Sequence, residues 1–158
     1  MGAWGYKNFE NDTAEDWYSN LVNNKEAEMI FSYLSIISEE NEFIDDEESY
    51  ISLAILEALA GKLNLINTIH ILPDIEGIND IFLVEFSIII SKKILFFKGH
   101  SELRELWKES DEYTFWFEHQ IALIQKLEEF YESFQFLHQL NIDLEIENDY
   151  QYYILNKM

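Results

Sequence analysis

Apolar positions along this chain recur mostly at intervals of three and four, the period that gathers side chains onto one face of an α-helix. Ala27, Ile30, Leu34 and Ile37 keep that spacing and predict a helix over Lys25 to Ser38 whose stripe faces the core. Upstream, Asp12-Thr13-Ala14-Glu15 has the form of an N-cap answered three positions later by Glu, and Trp17, Leu21 and Val22 follow at helical spacing. A first helix therefore begins near Thr13. Another is expected over Glu47 to Ala60, with Ile51, Ala54, Ile55, Ala58 and Leu59 on its buried side and Gly61 as a left-handed stop.

The most apolar stretch, Ile78 to Phe97, contains Ile88-Ile89-Ile90, a β-branched run that locally favours a strand. Its length decides otherwise: Asn79 to Phe97 has no internal turn and ends in Lys98-Gly99, so a buried helix is predicted, and its internal charges argue against a membrane span. After Ser110, one seam of Trp116, Leu123, Leu127, Phe130, Phe134 and Leu137, interrupted by Gln120, predicts a long C-terminal helix. In the tail, Ile142, Leu144 and Ile146 alternate with acids, and Asn148-Asp149 separates them from Tyr150 to Ile154, a pattern suited to a small β-hairpin. The expected architecture is all-α: a single-domain, irregular multi-helix bundle over residues 1–158, with that hairpin at its end.

Composition changes the picture in one direction. Thirty-one acidic residues against ten basic ones give a formal charge of −21, while 48% hydrophobic and 16% aromatic content supplies a core, so the acidity does not imply disorder. The basic residues are scattered, with Lys92-Lys93 as an adjacent pair, which disfavours direct binding of nucleic acid or an anionic membrane. Cysteine is absent, excluding disulfides and thiolate metal sites and suiting a cytoplasmic location. Asn8, Glu10, Asn11 and Asp12 interrupt any signal-peptide apolar region, and Tyr6 stands where an N-myristoylation motif wants Ser or Thr.

Two stretches carry a family resemblance. Met1-Gly2-Ala3-Trp4-Gly5 with Phe9-Glu10-Asn11-Asp12-Thr13-Ala14-Glu15-Asp16-Trp17, and the later Ser101-Glu102-Leu103-Arg104-Glu105-Leu106-Trp107-Lys108-Glu109-Ser110, resemble the bacterial family known as domain of unknown function 4259. The resemblance spans roughly residues 1–130 and implies a compact, mostly helical domain. It transfers no catalytic residues. Residues 131–158 then form a divergent acidic and aromatic extension.

Chemistry-bearing candidates are few. Glu39 to Glu48 packs seven acids into ten residues, a local field able to steer a basic partner, with Glu39, Glu42, Asp45, Asp46, Glu47 and Glu48 as its contact residues. A solvated connection leading into an acidic helix start explains the same run without a partner. Trp107 and Trp116, in an aromatic group with Tyr113, Phe115 and Phe117, are candidate interface anchors, against the more frequent fate of core packing. His70, His100, His119 and His138 form no metal-ligand spacing. Glu118-His119 is the best local acid/base pair, although adjacent helical residues point in different directions. No phosphate loop, dinucleotide fingerprint or nucleophile elbow occurs, so neither a cofactor nor an enzyme is expected.

The expected function is that of an acidic binding protein that neutralises a basic protein, most concretely an immunity protein blocking a nuclease-like toxin. Acids would steer the encounter and aromatic anchors would retain the complex. The alternatives are a nucleic-acid mimic that inhibits several DNA- or RNA-handling proteins, a metal-dependent hydrolase using His119 or another His with acids met in the fold, and a housekeeping scaffold that acidity merely solubilises.

Overall fold

The computed structural model describes the backbone of residues 2–143 and the side chains of residues 2–135. Its helices are α1 (Asp12–Asn24), α2 (Glu28–Glu39), α3 (Asp46–Lys62), α4 (Asp80–Phe96), α5 (Glu102–Lys108) and α6 (Tyr113–Asp143). Two-residue strands β1 (Phe43–Ile44) and β2 (His100–Ser101) pair in parallel, Phe43 opposite His100 and Ile44 opposite Ser101. The mostly α, multi-helix expectation holds. Of the expected tail hairpin, Ile142 belongs to α6 instead, and the remainder, from residue 144 on, lies outside the described residues.

α3 is the axis of the bundle. Every residue from Ser49 to Gly61 is buried, because α1, α2, α4, α5 and α6 all pack against it. A helix apolar around its whole circumference belongs at the centre, so Ile51, Ala54, Ile55, Ala58 and Leu59 are only part of its buried surface. The predicted stripe on α2 buries Ile30, Leu34 and Ile37, and the seam on α6 buries Trp116, Gln120, Leu123 and Leu127. α5 carries part of the second family-like stretch, and no hydrophobic period had marked it as a separate helix.

Three boundaries differ from expectation for identifiable reasons. Asn11, not Asp12, caps α1: its backbone is extended, its Oδ1 accepts the Ala14 amide at 2.8 Å, and its Nδ2 donates to the Asn8 carbonyl at 3.1 Å. Lys25, expected to open α2, instead closes α1 in the left-handed region (φ 51°), its amide donating to the Leu21 carbonyl at 2.7 Å. Gly61 does not stop α3, and the left-handed residue beyond that helix is Asn64 (φ 60°). What Gly61 provides is room, since a methyl group there would stand 2.4 Å from Thr68 Cγ2.

That close approach draws the connection from α3 to α4 back over the bundle. The Leu72 amide donates to the Ala58 carbonyl at 3.1 Å, the Tyr18 hydroxyl to the Ile71 carbonyl at 2.7 Å, and Lys62 Nζ bridges Asp74 and Asp80 at 3.1 Å each. Asn67, Thr68 and His70 are thereby held opposite the N-terminal loop.

Candidate functional site

The N-terminal loop is built to stand against α3 and α6. The Trp4 amide donates to the Glu10 carbonyl at 2.9 Å, and Ala3 bridges Asn11, closing the loop on itself. Gly5 leaves space for the Glu10 carboxylate, which accepts the Lys7 amide at 3.2 Å. Asn8 then pins the loop inside the protein. Its Nδ2 donates to the Leu53 carbonyl (3.0 Å) and to Gln120 Oε1 (2.9 Å), and its Oδ1 accepts from Gln120 Nε2 (2.6 Å). A reciprocal amide pair of this kind satisfies both buried side chains at once.

Between this loop, α3, α6 and the 66–70 connection lies a cleft of about 400 Å³. Trp4, Phe9, Ile66 and Leu123 give it apolar walls, and Lys7, Glu10, Glu15, Glu57, His70 and His119 bring charge and hydrogen-bonding groups. Two imidazole–carboxylate pairs face it. His119 Nε2 lies 2.6 Å from Glu57 Oε1, joining α6 to the central helix, and His70 Nε2 lies 2.7 Å from Glu15 Oε1. His70 also stacks on Phe9 with ring centroids 4.0 Å apart and planes 4° from parallel. Burial pushes the nearby Tyr18 hydroxyl above its ordinary range, with the Glu15 charge adding to the effect, and this keeps the proton that Tyr18 donates to Ile71.

With a carboxylate accepting from Nε2, each neutral imidazole has its other nitrogen left as an acceptor, an arrangement able to bind a polar hydrogen or take a proton. Glu57 could not be picked out beforehand, because it lies among apolar residues on α3 and meets His119 only through the packing of α3 on α6. Glu118, the sequence neighbour considered for His119, is not its partner. Glu15, expected to complete a capping box, is engaged with His70 instead. Among the described residues no group of three or more His, Asp or Glu side chains is arranged to hold a metal ion.

The other candidate residues are distributed differently. Glu39, Glu42, Asp45 and Glu47 are exposed around β1 and the start of α3, while Asp46 and Glu48 are half-buried. Trp107 and Trp116 are 4% and 1% exposed and stack with centroids 5.9 Å apart, so the expectation that they present surface anchors is corrected. Their helices turn both rings inward between α5 and α6. The aromatic that does stand among the acids is Phe43, exposed and stacked on His100 at 4.9 Å. No helix among the described residues is long and apolar enough to cross a membrane.

No curated protein and no solved structure matches this chain. The profile of one family, described as Domain of unknown function (DUF4259), matches residues 2–119, a span running from the N-terminal loop to His119 and so including every residue that lines the cleft except Leu123. The chain belongs to the DUF4259 family.

Proposed function

We propose that this protein is an acidic binding module whose partner is a cationic protein, and that its most concrete role is neutralising a nuclease-like toxin as an immunity protein. One observation carries the reading: among the described residues no Lys or Arg forms an ion pair with the rim acids, and Lys93 and Arg104, packed beside them, donate to backbone carbonyls, Arg104 also to Glu105. Lys93 Nζ donates to the carbonyls of Ile37 (2.6 Å), Ser38 (3.3 Å) and Glu40 (2.5 Å), and Arg104 donates to those of Phe97 (2.8 Å) and Gly99 (3.2 Å). Lys93 thus satisfies the C-terminal end of α2, and Glu39, Glu42, Asp45 and Glu47 stand as a negative field around the exposed Phe43 without an ion pair, Lys98 being the exposed cation on the neighbouring connection to β2. The field steers a basic surface, and Phe43 takes the retaining role that Trp107 and Trp116 cannot fill.

The test is association with the protein encoded by the adjoining gene. Converting Glu39, Glu42, Asp45 and Glu47 to their amides should slow association about tenfold at low salt and flatten its salt dependence, whereas Phe43→Ala should chiefly speed dissociation. Unchanged kinetics in both variants would remove the rim from the interface. Selective protection against that one protein separates immunity from nucleic-acid mimicry, which would extend to unrelated DNA- or RNA-handling proteins.

The His119–Glu57 pair supports a second reading, in which the cleft binds a small polar ligand and the imidazole moves a proton on it. Imidazole ¹⁵N shifts recorded while small amines and carboxylates are titrated in would decide this. Ligand-dependent shifts at His70 and His119 that weaken in Glu57→Gln favour it, and inert resonances in every titration reject it.

A further inference from the structure

We propose that the outer face of α4 is a self-association surface on which two copies of this chain pair antiparallel, with the two-fold axis near Ile89. Five residues of α4 are exposed: Phe82, Glu85, Ile89, Lys92 and Phe96. Their spacing of three, four, three and four residues is that of a coiled-coil seam. Phe82, Ile89 and Phe96 are 53%, 56% and 56% exposed, while Leu83, Val84, Ile90, Ile94 and Leu95 on the opposite side fill the core. The helix thus presents a second apolar stripe, separate from the one that folds it.

Aromatic side chains flank this stripe. Phe31 and Phe86 flank Phe82 with centroids 6.1 and 5.8 Å away, and Phe117 meets Phe96 edge-on at 5.8 Å. Beside Ile89, Glu85, Glu128, Tyr131 and Glu132 border a groove of about 230 Å³, and within the chain Lys92 Nζ reaches Glu128 at 2.9 Å, a surface pair that a second copy's Glu85 would share.

The order of apolar and charged positions along the stripe matches a second copy. Along α4 the stripe reads apolar, acidic, apolar, basic, apolar, so reversing it exchanges the two charges and leaves the apolar positions in register. An antiparallel copy sets Phe82 beside Phe96, Ile89 beside Ile89, and Glu85 beside Lys92 in two symmetry-related places, as an isologous interface requires. A parallel copy would set Glu85 against Glu85 and Lys92 against Lys92. The stripe itself carries one acid and one base, with Glu128 and Glu132 as further acids at its side, and it is separate from the acidic rim to which the cationic partner is assigned. This inference does not depend on that partner. Since each chain carries a formal charge of −21, pairing should tighten as salt screens the repulsion between the bodies.

The experiment is sedimentation velocity on the full chain over a concentration series, at about 0.15 M and about 0.5 M salt. The expected result is a monomer–dimer equilibrium, tighter at the higher salt, that Ile89→Glu abolishes. In a Glu128→Gln background, which releases Lys92 from its own chain, Glu85→Lys and Lys92→Glu should each weaken it about tenfold at the lower salt, and the two together should recover most of that loss because the pair is re-formed in reverse. Each substitution on α4 lies at an exposed position, and every variant is checked for native helicity. A wild-type monomer throughout, a dimer that survives Ile89→Glu, or a double variant no tighter than the singles overturns the proposal. So does a photo-crosslinker at position 89 that captures residues of its own molecule and never those of a second copy.

Discussion

Asn8 and Gln120 exchange hydrogen bonds across the base of the N-terminal loop, so neither side chain can be removed without stranding the other. Asn8→Ala should lower stability by about 2–3 kcal/mol in urea denaturation, because Gln120 and the Leu53 carbonyl lose their bonds inside the protein. Glu48 works against the fold. One carboxylate oxygen is buried without a hydrogen-bond partner, and burial, with repulsion from Asp45, Glu47 and Asp46 adding to it, raises the carboxyl above its ordinary value of 4.5 despite help from its own amide. A raised folded-state value means that the folded chain holds this proton more tightly than the unfolded chain does. Relative stability from the protonated form is therefore fully present below 4.5 and lost as pH rises through the folded-state value. Glu48→Gln should stabilise the protein at neutral pH by less than about 1 kcal/mol, given the partial exposure of the side chain, and the gain should close as acid is added. Thermal unfolding of both proteins across pH measures it; a gain that persists in acid contradicts this assignment.

Among the elements, Gly61 shows how a residue read correctly as special can be special for another reason. Alanine is favoured over glycine inside a helix by about 1 kcal/mol, yet at this position its methyl group would meet Thr68 Cγ2 at 2.4 Å. Gly61→Ala should therefore destabilise the wild type but become neutral or stabilising in a Thr68→Ser background, a double-mutant cycle readable by denaturation. Trp116→Ala should cost about 3–5 kcal/mol by opening a cavity beside Trp107, and the fraction that still folds should associate with a partner as the wild type does. The helices could be read from sequence because their apolar periods are local, as with Ile30, Leu34 and Ile37. The candidate site could not: Glu57 and His119 are 62 residues apart and become partners only through packing of α3 on α6. Asp12 and Lys25 were misplaced because turn chemistry, Asn11 capping and a left-handed lysine, competes with the helical period at its edges.

For the molecule as a whole, the surplus of acids sets a condition on folding itself. Among the described residues Lys and Arg reach Asp74, Asp80, Glu105 and Glu128, so most carboxylates face solvent without a cationic neighbour. Self-repulsion on this scale opposes the compact state, and the thermal midpoint should rise as sodium chloride is increased to about 0.15 M, where the screening length approaches the spacing of surface charges. A midpoint indifferent to salt would show that the charges are effectively neutralised. The same molecule also carries its own optical reporter. Trp17, Trp107 and Trp116 are buried, while Trp4, at the lip of the cleft, is 60% exposed. A neutral quencher such as acrylamide will therefore extinguish essentially one fluorophore of the four, and any molecule that enters the cleft announces itself, without a label, as light the quencher can no longer remove.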